Sequence, residues 1–197
     1  MSKFIKKLAL AAVFMTTVAG ISMKAQGVAI KTDLLYDATL TANLGVEFGL
    51  APKWSFDLSG NFKSWNATSR VWKHWMLQPE ARYWFCDRFA RHFIGVHGIA
   101  GQFNWGHFKN PWDFLGTPFT KLKDNRAQGW GVGAGVAYGY AWVLNRHWNI
   151  EAELGLGFIH TWYDVYECRD CGKLIARDLQ HTYYGPTKLA INLVYVF

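Results

Sequence analysis

The sequence predicts an all-β protein, an eight-stranded antiparallel up-and-down β-barrel, from three observations. Apolar and polar residues alternate in about eight segments along residues 26–197, which is the period of a β-strand. Aromatic residues make up 17% of the chain, which carries 19 glycines but only 5 prolines, a composition typical of β-proteins. The connections between segments are alternately short and long, as in barrels whose two ends face different compartments.

Residues 1–25 have the layout of a secretory signal peptide. Lys3, Lys6 and Lys7 precede the apolar run LALAAVFMTTVAGI, and the small Ala25 offers a cleavage site. We therefore expect residues 26–197 to form one mature β-barrel domain. Removing the four lysines of the leader lowers the formal net charge from +7 to +3. That charge is too small to indicate a nucleic-acid partner.

The alternating segments are 28–38, 42–50, 54–62, 74–85, 93–103, 130–142, 148–158 and 187–197. The first is the least regular because Leu35 interrupts its apolar face. The fifth has no single phase, since Ile94, Val96 and Ile99 do not share a parity. Pro79 lies inside the fourth segment, which a strand tolerates only where the missing N–H costs no ladder bond.

The connections predict which end of the barrel faces outward. The short ones are 51–53, 86–91 and 145–147, and the long ones are 64–70, 104–128 and 164–182. Tight periplasmic turns and longer extracellular loops are typical of transmembrane barrels. The long connections would then be the second, third and fourth loops at the cell surface. The first connection, 39–41, is too short to fit this trend.

The apolar face of each segment points either into a core or toward lipid, and alternation alone does not separate the two. The sixth segment decides for lipid, because its apolar residues oppose only glycine and alanine over 131–141. That is a poor solvent face but a good lining for a crowded lumen. Trp and Tyr also lie near segment ends, as interfacial girdles require: Trp54, Trp84, Trp130, Trp142, Trp148, Trp162, Tyr183 and Tyr184. We expect a transmembrane β-barrel in the outer membrane of a Gram-negative cell. A secreted lipocalin-like binding barrel is the alternative.

Three stretches resemble a known family: KTDLLYDATLTANLGVEFGLAPKWSFDLSGNF, WKHWMLQPEARYWFC and the closing AINLVYVF. They are similar to the small bacterial outer-membrane proteins grouped as domain-of-unknown-function family 3575. The resemblance covers essentially the whole mature chain. It implies an outer-membrane β-barrel, sometimes encoded near fimbria-type surface adhesins, and no catalytic residues. The alternating final strand with terminal Phe197 also resembles the signal that the barrel-assembly machinery recognises during biogenesis.

Seven polar residues fall on the predicted lumen face: Glu47, Asp57, Glu80, Arg82, Glu151, Glu153 and Lys188. An eight-stranded barrel is filled by its own side chains. We therefore expect these acids and bases to pair with one another and to plug the lumen. The alternative interpretation is a proton or ion path. A general porin is not expected.

Cys168 and Cys171 form a C-x-x-C within YECRDCGK in the last long loop. An oxidising envelope favours a disulfide between them. Metal binding completed by His160 or His181, and unpaired thiols, are the alternatives. No metal or cofactor is expected, because a structural zinc site needs four ligands and the chain has no second C-x-x-C.

The third loop mixes aromatic and basic residues: Trp105, Phe108, Lys109, Trp112, Phe114, Lys121, Lys123 and Arg126. Such a surface suits contact with outer-membrane lipid and lipopolysaccharide, or with a surface protein partner. A lid over the barrel mouth is the alternative.

The sequence thus predicts a non-enzymatic outer-membrane protein with a structural or surface-interaction role through its loops. The rival is a lipid-modifying enzyme, which needs a nucleophile and a base near the outer rim. Its candidates are Ser64, Ser69, His74, His160 and Asp164. No spacing among them matches a specific catalytic motif.

Overall fold

Eight antiparallel strands close a barrel in chain order in the computed structural model, which describes residues 27–65, 71–106, 125–167 and 172–197. The elements are β1 (Val28–Asp33), α1 (Leu34–Ala38), β2 (Ala42–Ala51), β3 (Trp54–Lys63), β4 (Val71–Trp84), β5 (Arg91–Gly106), β6 (Arg126–Val143), β7 (Trp148–Tyr166) and β8 (Leu174–Val196). The predicted all-β, eight-stranded up-and-down barrel is confirmed. Within the described residues, no helix has the length and apolar character needed to cross a membrane. Residues 1–26, which include the predicted signal peptide, lie outside the described part.

The first predicted strand is wrong beyond Asp33, where the chain turns into the short helix α1. The Asp33 carboxylate caps this helix by accepting a hydrogen bond from the backbone N–H of Leu35 at 3.0 Å. The same carboxylate accepts the N–H of Ile191 at 3.2 Å. The Asp33 cap and the two leucines that follow it end the alternation of β1. The hydrogen bond from Ile191 to Asp33 holds the start of α1 against the wall.

The barrel wall is much taller on one side than on the other. β1 has 6 residues and β8 has 23, so β7 and β8 extend well beyond the predicted 148–158 and 187–197. Register shifts in the β7–β8 pairing, opposite Gly155–Leu156 and again opposite Tyr163–Tyr166, explain why the sequence pattern did not predict the extension of β8. Each bulge adds a residue to β8 and moves its outward residues to the other parity.

The phase of the fifth strand follows from its side-chain burial. Ile94 and Val96 point outward and are 45% and 64% exposed, whereas Phe93 and Ile99 point inward and are buried. Ile99 therefore lines the lumen instead of joining the outer face. The β4–β5 pairing is interrupted over Gln78 and Pro79 and resumes at Glu80, so the missing proline N–H costs no ladder bond.

The inward face is polar and tightly packed, and glycines make room for its largest side chains. A Cβ on Gly135 would lie 2.8 Å from the His97 ring, and one on Gly139 would lie 2.2 Å from the Phe93 ring. Bulky inward residues of β5 thus occupy the space that the glycines of β6 leave open. The glycine stripe of the sixth segment lines the lumen, as the sequence predicted.

Candidate functional site

The predicted lumen residues meet around one guanidinium, that of Arg82 on β4. Its three nitrogens contact four carboxylates: Glu47 at 2.8 Å, Glu80 at 2.8 Å, Glu151 at 3.0 Å and Glu153 at 2.7 Å. Arg82 is completely buried, and so are its partners. The carboxylates come from β2, β4 and β7, so the guanidinium bridges opposite walls of the barrel. A charge buried this deeply is stable only because it is paired on several sides.

Two lysines extend the network on either side of Arg82. Lys188 on β8 contacts Glu80 and lies 3.0 Å from Glu153. Lys31 on β1 pairs with Glu47 and lies 3.3 Å from Asp57. Lys31 was not among the predicted lumen residues, because it lies in the least regular segment. Lys31 has an odd residue number, as do Ala29 and Asp33 on the same face of β1. This alternation was the signal that could have placed the Lys31 side chain in the lumen.

The described lumen holds more acid than base. Six carboxyl side chains are buried against four basic ones: Asp33, Glu47, Asp57, Glu80, Glu151 and Glu153 against Lys31, Lys63, Arg82 and Lys188. Neither carboxylate oxygen of Asp57 accepts a hydrogen bond from a described residue, although the Lys31 ammonium lies 3.3 Å from one of them. A polar cavity of about 60 Å³ adjoins Asp57 on the side of α1, and it is large enough for ordered water. Among the described residues, no three His, Cys, Asp or Glu side chains are grouped to hold a metal ion.

The helix α1 covers this cavity through Tyr36. Burial raises the pKa of the Tyr36 hydroxyl to about 12, and the neighbouring Asp33 carboxylate also raises it. The hydroxyl therefore stays protonated at physiological pH. Tyr36 adds a neutral polar group, and no charge, to the loop end of the lumen.

An aromatic plug closes the lumen at the turn end, which is the end that carries the short connections and both termini of the barrel. Trp84, Phe89 and Phe93 form a buried cluster there, with ring centroids 4.7 Å apart for Trp84 and Phe93. The Arg82 guanidinium lies over the Phe93 ring at 4.5 Å. The plug and the ion-pair network together leave no wide aqueous path through the described lumen.

The outer wall carries an apolar band between two aromatic girdles. The turn-side girdle contains Trp54, Tyr83, Phe85, Tyr140, Trp142, Trp148, Tyr195 and Phe197, in ring contacts of 4.8–5.8 Å. The loop-side girdle contains Phe62, Trp65, Trp75, Trp130, Trp162 and Tyr184. Trp84 does not belong to a girdle as predicted, because it has the inward parity of Glu80 and Arg82 and is buried in the plug. Tyr183 is not part of a girdle either, because it pairs with the inward-facing Ile159 of β7.

The predicted contact loop is described only at its two ends. Trp105 packs against Phe103 with ring centroids 5.1 Å apart, and the Arg126 guanidinium lies 4.8 Å from the Tyr166 ring. Gly106 and Arg126 are paired positions of β5 and β6, so the loop leaves and re-enters the wall side by side. Phe108, Lys109, Trp112, Phe114, Lys121 and Lys123 lie outside the described residues.

Cys168 and Cys171 also lie outside the described residues, between Glu167 and Gly172. Among the described residues Cys86 carries a free, exposed thiol. It lies just after β4 at the turn end, which is opposite the connection that contains the C-x-x-C.

Three of the candidate catalytic residues, Ser64, His74 and Asp164, line one cavity of about 380 Å³ at the loop end of the lumen, but no hydrogen bond joins them. His74 has the inward parity of β4, whereas His160 faces outward on β7, where its Nδ1 contacts the Thr182 hydroxyl at 2.7 Å. Asp164 faces outward and accepts the N–H of Asp178 at 2.9 Å. Exposed Ser64 follows β3, which lies four strands from β7 around the ring, so the cavity separates Ser64 from Asp164. Ser69 lies outside the described residues. No nucleophile, base and acid are within hydrogen-bond reach of one another among the described candidates.

The comparisons with known proteins identify the family and nothing finer. The sequence model of a family described as "Protein of unknown function (DUF3575)" matches residues 11–197. No curated protein matches the chain. The matched stretch covers every strand of the barrel and confirms the resemblance that its sequence motifs indicated. The chain belongs to the DUF3575 family.

Proposed function

We propose that this protein is a small outer-membrane β-barrel, exported through a cleaved signal peptide, with a structural or surface-interaction role through its extracellular loops. The observation that carries the proposal is the inversion of burial around the ring. Lysines, an arginine and carboxylates are buried inside, while leucines, valines and aromatics are exposed outside. Burying charge and exposing apolar surface are both unfavourable in water. The same arrangement is favourable when the solvent of the outer wall is lipid.

The height of the apolar band supports a bilayer crossing. Tyr140 and Trp130 mark the two girdles on β6, and ten residues separate them. At about 3.4 Å per residue and a strand tilt of about 40°, that separation spans about 26 Å along the barrel axis. The apolar band of outer-membrane barrels is about 25 Å tall. Closure also leaves no free sheet edge within the band, as a hydrocarbon environment requires.

The filled lumen, and connections that are longer at one end of the barrel than at the other, support a role at the surface over a role in transport. A plug and a charged network fill the interior, so loops and outer wall remain as the contact surfaces. Partners of matching chemistry are outer-membrane lipid, lipopolysaccharide and a surface protein of an adhesin or fimbria system. During biogenesis the ordered terminal strand suits the barrel-assembly machinery, since Phe197 donates its N–H to the Val28 carbonyl at 3.1 Å.

Cell fractionation followed by electrophoresis with and without boiling in detergent tests the location and the closed barrel together. We expect the native protein in the outer-membrane fraction, with a mobility that changes on boiling. Recovery of the protein in soluble form from the periplasm or medium would contradict the proposal. It would favour the lipocalin-like alternative.

Substituting Val136 by arginine tests whether the outer wall faces lipid. Val136 lies near the middle of the band on β6 and is 62% exposed. A cationic side chain at a bilayer midplane costs about 2–4 kcal/mol, whereas an exposed position in water costs within about 0.5 kcal/mol. We expect the larger loss in the free energy of unfolding, measured by urea titration of the refolded protein in lipid vesicles.

Ile175→Arg is the matched control for this substitution. Ile175 is also β-branched and 54% exposed, but it lies on the part of β8 beyond the loop-side girdle. We expect little change in stability there. Equal effects at the two positions would mean that the band is not embedded in lipid.

A lipid-modifying enzyme is the alternative function from a different functional class. The cavity shared by Ser64, His74 and Asp164 is the observation that favours it. Alanine variants at His74 and His160 that change the lipid A profile of the cell would support the enzyme. An unchanged profile is the outcome expected for a non-enzymatic barrel.

A further inference from the structure

The cavity of about 380 Å³ at the loop end of the lumen is bordered by a row of directly paired, inward-facing residues. Lys63 of β3 pairs with His74 of β4, His74 with Phe103 of β5, and Phe103 with Gly129 of β6. Gly129 places no side chain in this space. The cavity has the size of a small-molecule site, for which the range is about 300–1,000 Å³.

Lys63 carries a buried charge that no described carboxylate neutralises. Its side chain is only 4% exposed. The ammonium donates a hydrogen bond to the Thr39 carbonyl and lies 4.5 Å from the centre of the Trp72 ring. An ammonium has three donors, so these contacts leave some of them unused. Buried charges are normally paired, and the other three buried bases of the described lumen each contact carboxylates.

His74 adds a polar atom without a partner beside Lys63. Its Nδ1 is buried and has no hydrogen-bond partner among the described residues. Ring contacts hold the imidazole in place, with its centroid 6.4 Å from that of Tyr36 and 6.1 Å from that of Trp72. The imidazole donates from Nδ1 in the tautomer that carries the proton there. Because Lys63 and His74 lie directly opposite each other on β3 and β4, both can donate to one anionic group.

The charges that line the cavity are separated along it. The carboxylate of Asp164 lies at the β7 end, whereas Lys63 and Lys73 lie at the end formed by β3 and β4. Between the two ends, the Phe103 ring packs against Trp105 with centroids 5.1 Å apart. A cationic end beside an aromatic wall is complementary to an anionic group on an apolar body.

We propose that this cavity binds a small organic anion, a carboxylate on an apolar or aromatic body. The carboxylate accepts hydrogen bonds from the Lys63 ammonium and the His74 imidazole, and the body lies against Phe103. One buried ammonium matches the single charge of a carboxylate. The inference goes beyond the proposed function and does not depend on it, because the cavity lies inside the ring whether the outer wall faces lipid or water.

Isothermal titration calorimetry of the purified protein in a non-ionic detergent, with biphenylcarboxylate as the probe, tests the site. Titration into detergent alone corrects for partition into micelles. We expect saturable binding, and we expect Lys63→Gln to weaken it by about tenfold because one charge-assisted contact is lost. Lys53→Gln removes the same charge at the turn end, where Lys53 donates to the Phe85 carbonyl, and should leave binding unchanged. Equal binding by the two variants, or no saturable binding, would overturn the site.

Two further probes separate the charge of the ligand from its body. Biphenylcarboxamide, the neutral analogue, should bind more weakly and show no dependence on Lys63. Phe103→Ala should weaken biphenylcarboxylate binding, because the aromatic wall is lost. Equal binding of acid and amide would overturn the carboxylate assignment, and acetate or inorganic phosphate that binds as tightly as biphenylcarboxylate would overturn the organic body. The change in mobility on boiling is scored on the same samples, so a variant that fails to form the barrel is recognised separately.

Discussion

Replacing Arg82 by methionine is expected to lower the free energy of unfolding by about 3–5 kcal/mol, because it leaves buried carboxylates without their shared partner. Arg82 contacts Glu47, Glu80, Glu151 and Glu153, and the lumen already holds more acid than base. Urea titration of the refolded protein, followed by the change in electrophoretic mobility on boiling, measures the loss.

Lysine at this position should not restore the loss. A guanidinium presents five donors in a planar fork, whereas an ammonium presents three from a single point. The four carboxylates of three strands cannot all be reached from that point. Arg82→Lys should therefore fall closer to Arg82→Met than to the unsubstituted protein.

Arg146→Met is the control, because Arg146 is exposed in the turn between β6 and β7 and its loss should cost within about 0.5 kcal/mol. Adding Glu151→Gln to Arg82→Met removes one uncompensated charge and should recover part of the stability. If Arg82→Met and Arg146→Met behave alike, the lumen charges are hydrated and the network does not hold the barrel together.

Gly157→Val is expected to prevent the chain from refolding into the closed barrel. A Cβ on Gly157 would lie 2.1 Å from the backbone oxygen of Ala134 and 2.6 Å from the Cα of Gly135. Both are main-chain atoms of β6, so relief requires the two strands to separate. Overpacking of ordinary side chains costs about 1–3 kcal/mol, and a collision with a neighbouring strand should exceed that range.

Gly60→Val provides the matched comparison on the outer face. The nearest atoms to a Cβ on Gly60 lie 3.7 Å away, and valine favours strands. This variant should refold normally and show the heat-dependent mobility of the unsubstituted protein. Normal refolding of Gly157→Val as well would mean that the inner face of β6 and β7 has more room than its geometry indicates.

The alternation of residue types was enough to predict the number of strands, their order and most of the lumen network. The alternation is sufficient because the barrel wall is a single sheet. Successive side chains of a strand therefore point alternately to the lumen and to the outside. Trp84 shows the limit of composition, since a tryptophan at a strand end suggests a girdle. Its even parity, shared with Glu80 and Arg82, places it inside.

The features that sequence reasoning missed depend on local geometry that parity does not record. Asp33 ends β1 through a side-chain hydrogen bond, and the bulges of β8 reverse its alternation on the N-terminal side of Lys188. The convergence of four carboxylates on Arg82 depends on the stagger of strands around the ring. The cavity at the loop end of the lumen depends on cross-strand register, which connects residues far apart in the chain.

The shortness of β1 has a consequence for how the ring closes. Seven of the eight strand pairings join consecutive strands, whereas β1 and β8 come from opposite ends of the chain. Closing them costs the loop entropy of the whole barrel, and the seam gains only the span from Ala29 to Asp33 in return. We therefore expect ring closure to be the last step of folding and the seam to be the first place to open. Amide hydrogen exchange that is slower in β1 than in β6 would contradict this order.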